Sequence, residues 1–232
     1  MEFSILAEAF SRLEAITERL EMTAILARLF SQATAENIDK IVYLVQGSIA
    51  PPYKGLDFGI GEKLTVQAIA KAFGVDSGTV ERDYKELGDL GLVAEKHARN
   101  KKQTTLFHEP LTVERVYTNF YKIATATGPG SQETKLRLLV DLLKDAKPLE
   151  ARYVVRIPLG KLRLGVGDAT VLEALSLAKT GSRDFKEKLE RAYNICSDLG
   201  YVAKVLFKEG PDAIEKFKIV VCIPIRPALA QI

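Results

Sequence analysis

Apolar residues recur at three- and four-residue intervals along most of the chain, the spacing that gathers them on one face of an α-helix. Phe3, Leu6, Phe10 and Leu13 form one stripe. Ile25, Leu26, Leu29 and Phe30 form the next, and Ile38, Ile41, Val42 and Val45 a third, with Asn37 placed to cap it. The stretch SIAPPYKGLDFGIG interrupts the pattern, because Pro51, Pro52 and its glycines forbid continuation. Helix is expected again from Glu62 and after Ser77. A polar stretch from Lys96 to Glu109 then separates two halves. Beyond it come Leu136, Leu139, Val140 and Leu143, then Tyr153 to Ile157, then Val171 to Ala178, then Phe185, Leu189, Ala192, Tyr193 and Cys196. The closing IVVCIPIRPALAQI is β-branched and punctuated by proline, which suits an extended tail. The predicted class is all-α, with a helical domain over 1–217 and a linker over 218–232.

The halves resemble each other. GIGEKLTVQAIAKA from Gly59 matches GVGDATVLEALSLA from Gly165, and YKELGDLGLVAE from Tyr84 matches YNICSDLGYVAK from Tyr193. Upstream, IVYLVQGSI from Ile41 matches VVRIPLGKL from Val154. Order and rough spacing agree, and the glycines and the D-L-G tripeptide match as well as the apolar stripe. Two similar units of about four helices each are expected over 16–95 and 128–206, related by a pseudo-two-fold and joined by a loop over 96–111.

Composition adds exclusions. The chain has 232 residues, 47% apolar and 27% charged, enough to bury a core without staples. No apolar run approaches a membrane span, and Glu2 within a helical pattern argues against a signal peptide. Cys196 and Cys222 stand far apart, which suggests a reducing, cytoplasmic setting and core filling rather than a disulfide framework. His97 and His108 have no cysteine or aspartate cluster at metal-ligand spacing, so no metal site is expected. Neither G-x-x-x-x-G-K-[ST] nor G-x-S-x-G occurs, and the Gly-x-Gly pairs lack the third glycine of a dinucleotide fold. A binding domain fits better than a complete enzyme. The net charge of +3 is mild, so contact with nucleic acid must come from local patches.

Such patches exist. Gly59/Gly61 and Gly165/Gly167 each precede an acidic residue and then a helix. Positive φ, expected at Gly61 and Gly167, would bring backbone close to a ligand, and the following helix N-terminus offers free N–H groups and a positive dipole end. Together these make a phosphate site, and a symmetric pair of them suits the two strands of duplex DNA. Lys147, Arg152, Arg156, Lys161 and Arg163 face only Glu150 in sequence, and Lys161 and Arg163 directly precede the second pair. ATGPGSQETK, ending at Lys135, gives a third glycine-rich opening, with Ser131 as its cap. Another reading of Leu64 to Val93 is a helix-turn-helix with Ser77 to Leu87 as recognition helix and Lys96 to Phe107 as wing, which would make a transcription regulator.

GIGEKL, ATGPGSQETKLRLL, EARYVVRIPLGKLRLGVGDATVLEAL, ERAYNICSDLGYVAK and the closing IPIRPALAQ resemble the N-terminal DNA-binding domain of archaeal and eukaryotic ATP-dependent DNA ligases over nearly the whole chain. The resemblance implies an all-helical, pseudo-two-fold, monomeric domain that grips the minor groove around a nick, in replication, repair and recombination. Its contact elements would be Gly59, Gly61, Lys63, Ser131, Lys161, Arg163, Gly165 and Gly167, to which Lys135 and Arg156 add positive charge. In the family an adenylation domain with a K-x-D-G lysine follows; this sequence has no such motif, so catalysis with ATP and Mg²⁺ is expected of the parent ligase rather than of these residues alone. QTTLF, with Gln103, Leu106 and Phe107, resembles the short sliding-clamp (PCNA) box of archaeal ligases. An archaeal, cytoplasmic, DNA-associated protein is implied.

Overall fold

The computed structural model describes residues 1–101 and 109–226, and among them the chain forms thirteen α-helices and no sheet. The helices are α1 (Phe3–Glu14), α2 (Arg19–Phe30), α3 (Ile38–Val45), α4 (Glu62–Phe73), α5 (Ser77–Leu87), α6 (Leu90–Arg99), α7 (Val113–Thr125), α8 (Ser131–Asp145), α9 (Pro148–Arg156), α10 (Asp168–Thr180), α11 (Lys186–Asn194), α12 (Leu199–Glu209) and α13 (Pro211–Glu215). The all-α expectation holds. The first three stripes are buried as expected, with Phe3, Leu6, Phe10, Leu13, Leu26, Phe30, Ile38, Ile41 and Val42 fully enclosed.

Two boundaries differ from the sequence reading. The polar stretch after Lys96 is not all loop, because α6 runs on to Arg99 and Glu95, His97 and Ala98 are buried in it. Helix α7 fell between the two expected halves. Its signal was present: Val113, Val116, Phe120 and Ile123 sit at helical spacing and are fully buried, and Thr112 caps them by accepting from the Arg115 N–H. The tail over 217–226 is irregular backbone with turns.

The chain divides into two compact units, and neither is one half of the sequence. One joins Met1–Glu8 to Leu56–Leu162, the other Ala9–Gly55 to Arg163–Ile232. In the first unit α4 packs on α8 and α6 on α9. In the second, α2 packs on α10 and α3 on α12. Each unit therefore combines helices from both matching segments.

The D-L-G tripeptides show how these seams form. Asp89 caps α6 by accepting from the Leu92 N–H at 2.8 Å, and Asp198 caps α12 by accepting from the Tyr201 N–H at 2.9 Å. Each aspartate also reaches across its seam. Asp89 takes both oxygens to the Arg156 Nε at 3.1 and 3.2 Å, and Asp198 accepts from the Tyr43 hydroxyl at 2.7 Å. The glycine is then a contact point. A Cβ on Gly91 would lie 2.8 Å from the Arg152 carbonyl oxygen, and one on Gly200 would clash with the Tyr43 ring. Only glycine lets the helices approach so closely. Four residues on, Glu95 pairs with Arg152 in the first unit and Lys204 with Asp39 in the second, so equivalent positions carry exchanged charges.

Candidate nucleic-acid interface

In the first unit, the turn before α4 is built by Asp57, Gly59 and Gly61. The Asp57 carboxylate accepts from the Gly59 N–H at 2.6 Å, and Gly59 takes positive φ at +56°. Gly61 is the N-cap of α4 at φ −101°, an extended conformation open to any residue, and no side chain caps the helix. The second-unit turn repeats this: Gly165 has φ +67°, whereas Gly167 caps α10 at φ −92°, again without a side-chain cap. The left-handed backbone thus belongs to the first glycine of each pair rather than to Gly61 and Gly167. Space around the second glycine is free, since a Cβ at Gly61 or Gly167 meets nothing within 4 Å. The leading N–H groups of both helices are left to face an incoming acceptor.

What lies beneath each turn differs. Lys135, in the second turn of α8, is buried and donates from Nζ to the Phe58 carbonyl at 2.7 Å, directly under Gly59. At the equivalent position in the second unit, Met22 of α2 lies under Gly165. Lys135 thus pins the opening of α4 to α8. Ser131 is not the cap of α8, contrary to expectation; Gly130, at φ +80°, holds that position, and Ser131 is the first helical residue.

The acid after each glycine pair is tied down by a tyrosine. The Tyr84 hydroxyl donates to Glu62 at 2.8 Å, and the Tyr193 hydroxyl to Asp168 at 2.9 Å. The hydrogen bond to Glu62 raises the Tyr84 hydroxyl above its ordinary pKa. Burial, and then the Asp168 carboxylate, push Tyr193 up to about 12. Both therefore stay protonated donors at neutral pH. Sequence reasoning passed over these tyrosines, although they open the matched segments from Tyr84 and Tyr193.

The candidate cations separate into two kinds. Lys63, Lys161 and Arg163 are exposed, and none makes an ion pair among the described residues. Lys161 is the next-to-last residue of the first unit's stretch of chain, and Arg163 opens the second unit's. Arg156 is different: it is committed to Asp89 and lies 5.9 Å from the centre of the Tyr153 ring, so it serves the α6–α9 seam. Gln103, Leu106 and Phe107 lie outside the described residues.

The helix-turn-helix reading gains little from α5. That helix carries Glu81, Asp83 and Glu86 against Arg82 and Lys85. Asp83 is further engaged by Lys96 and His97, each at 2.8 Å, and the Lys96 hydrogen bond holds its carboxyl below the usual range. Lys96 to Arg99, the start of the expected wing, is the last turn of α6. A recognition helix facing phosphates should be basic.

Residues 2–176 match the family described as DNA ligase N terminus. The chain belongs to the DNA ligase N-terminal family. It is 47% identical over 231 residues to a DNA ligase of Nitrosopumilus maritimus, 48% over 243 to one of Aeropyrum pernix, and 45% over 240 to one of Saccharolobus solfataricus. All of this chain is covered in each case, against 39–40% of the relative, so the chain spans about two fifths of the length of these ligases. The ligase family match includes both Gly-x-Gly turns, Lys63, Ser131, Lys135, Lys161 and Arg163. No described helix is long and apolar enough to cross a membrane, and no described cluster of three His, Cys, Asp or Glu side chains could hold a metal.

Proposed function

We propose that this chain binds nicked duplex DNA through backbone phosphates and the minor groove, as the DNA-binding part of an ATP-dependent DNA ligase acting in replication, repair and recombination. The observation that carries the reading is the pair of uncapped helix openings, Gly59–Gly61 before α4 and Gly165–Gly167 before α10, one in each unit. Free N–H groups, a positive dipole end and the unpaired Lys63, Lys161 and Arg163, within a few residues of the turns along the chain, are the complement of a phosphodiester. Each turn takes phosphates of one strand, and Lys135 sets the first turn in place. No base-edge reader is needed, which suits an enzyme that must act at any sequence. ATP and Mg²⁺ serve the chemistry of the parent ligase, and the chain itself contributes grip and placement.

A titration of the chain with nicked and intact duplexes of unrelated sequences, across salt concentrations, tests this. Sequence-neutral binding that favours the nick and weakens steeply with salt is expected. Preference for one palindromic operator would instead support a regulator, and absence of duplex affinity would overturn the reading.

The partner proposed for Gln103, Leu106 and Phe107 is the sliding clamp. Leu106 and Phe107 are adjacent large apolar groups in a stretch from Lys96 to His108 that has no acid, and such anchors seek a pocket on a partner. Tethering to a ring on DNA raises the effective concentration at a nick without new DNA contacts. Leu106→Ala with Phe107→Ala is expected to abolish clamp binding in a pull-down while duplex affinity stays unchanged; retained clamp binding by the folded double variant places the docking residues elsewhere.

A further inference from the structure

Arg226 ties the tail after α13 to α11 and α10 of the second unit. The Arg226 N–H donates to the Asn194 carbonyl at the end of α11, at 2.9 Å. Its guanidinium lies over the Tyr193 ring, 4.4 Å from the centroid, and reaches Asp168 Oδ2 at 3.6 Å. The same carboxylate oxygen accepts from the Tyr193 hydroxyl, and Oδ1 accepts from Gln46 Nε2 at 3.1 Å. Asp168 is the first residue of α10, directly after Gly167.

This arrangement places a carboxylate at the mouth of a turn that otherwise favours anions, and answers it with a cation from the tail. An unopposed Asp168 would repel a phosphate at the α10 opening. The Arg226 side chain is 41% exposed, and its planar head has five N–H donors, more than its contacts to Asp168 use. It can hold Asp168 on one edge and a phosphate oxygen on another. Among the described residues of the first unit no cation pairs with Glu62, which accepts from the Tyr84 hydroxyl.

Resting on the DNA reading above, we propose that Arg226 is a tail-borne positioning residue that makes the Gly165–Gly167 turn competent for phosphate and, in the same contact, docks the tail when duplex binds. The two events then reinforce each other, because a ligand that favours the docked arrangement must itself be favoured by it.

The test compares wild type, Arg226→Ala and Arg226→Lys in two measurements: duplex affinity across salt, and amide exchange over residues 219–226 with and without nicked duplex. For the wild type, duplex should slow exchange in the tail. Arg226→Ala should weaken binding several-fold, lower the slope of log affinity against log salt by about 0.9, one phosphate contact, and abolish the slowing. Arg226→Lys, which keeps the charge but loses the planar head, should recover the slope but only part of the protection. Wild-type binding with an unchanged slope in Arg226→Ala, or with tail exchange indifferent to DNA, overturns this proposal and leaves the DNA reading standing. A wild type without duplex affinity overturns both.

Discussion

Glu95→Lys is expected to lower the thermal midpoint of unfolding by about 10 °C, from the 3–5 kcal/mol that breaking a buried ion pair costs and the 2–4 °C per kcal/mol of a chain this size. Glu95 is buried at 5% exposure and receives both Arg99 and Arg152, each within 2.5 Å of a carboxylate oxygen. A lysine there places three cations around one enclosed point and leaves Arg152, itself only 19% exposed, without its acid. The second unit supplies the remedy. Its equivalent positions hold Lys204 and Asp39, at 3.0 Å. Glu95→Lys combined with Arg152→Asp copies that arrangement into the first unit and should recover more than half of the lost midpoint, Arg99 remaining as a nearby repulsion. Calorimetry of the two single variants and the double one gives the coupling directly. A double variant no more stable than the sum of its parts would show that these positions do not specify the seam.

The second large effect is on DNA. Lys161→Ala with Arg163→Ala should lower the salt slope of duplex binding by about 1.8, the loss of two phosphate contacts. Both side chains are exposed and without an ion pair among the described residues, so stability should move by no more than about 0.5 kcal/mol. Arg156→Ala is the contrasting case, because its guanidinium is held by Asp89: its effect should appear in unfolding before it appears in binding. An unchanged slope in the folded double variant would assign Lys161 and Arg163 to a merely solvated face.

How much of the site was legible depended on the range of each signal. Glycine pairs, acid and helix opening are local features, and they stand where the sequence puts them. The sign of φ was not legible, because a Gly-x-Gly pair permits the left-handed turn at either glycine. Asp57 settles it by accepting from the Gly59 N–H, a two-residue contact. Ser131 was credited with a cap that Gly130 supplies through backbone conformation alone. Arg156 looked like its basic neighbours until its distant partner, Asp89, was in place. Tyr193 and Arg226 could not be joined from sequence, since they meet Asp168 from α11 and from the tail.

By itself the sequence determined most of the helices, their buried faces and the likeness of Gly59–Glu95 to Gly165–Lys204, because period, capping and turn chemistry act over a few residues. Only the tertiary structure decided which helices share a core. Pattern alone would let α6 lie on α3 of its own half as readily as on α9, since both offer an apolar stripe. The structure puts α6 on α9 and α12 on α3. The exchanged charges give the physical reason. The observed seams set Glu95 against Arg152 and Lys204 against Asp39, whereas pairing within each half would set Glu95 against Asp39 and Lys204 against Arg152. Like charges set against each other disfavour the within-half pairing, most at the buried Glu95, and that cost is visible only once both partners are known.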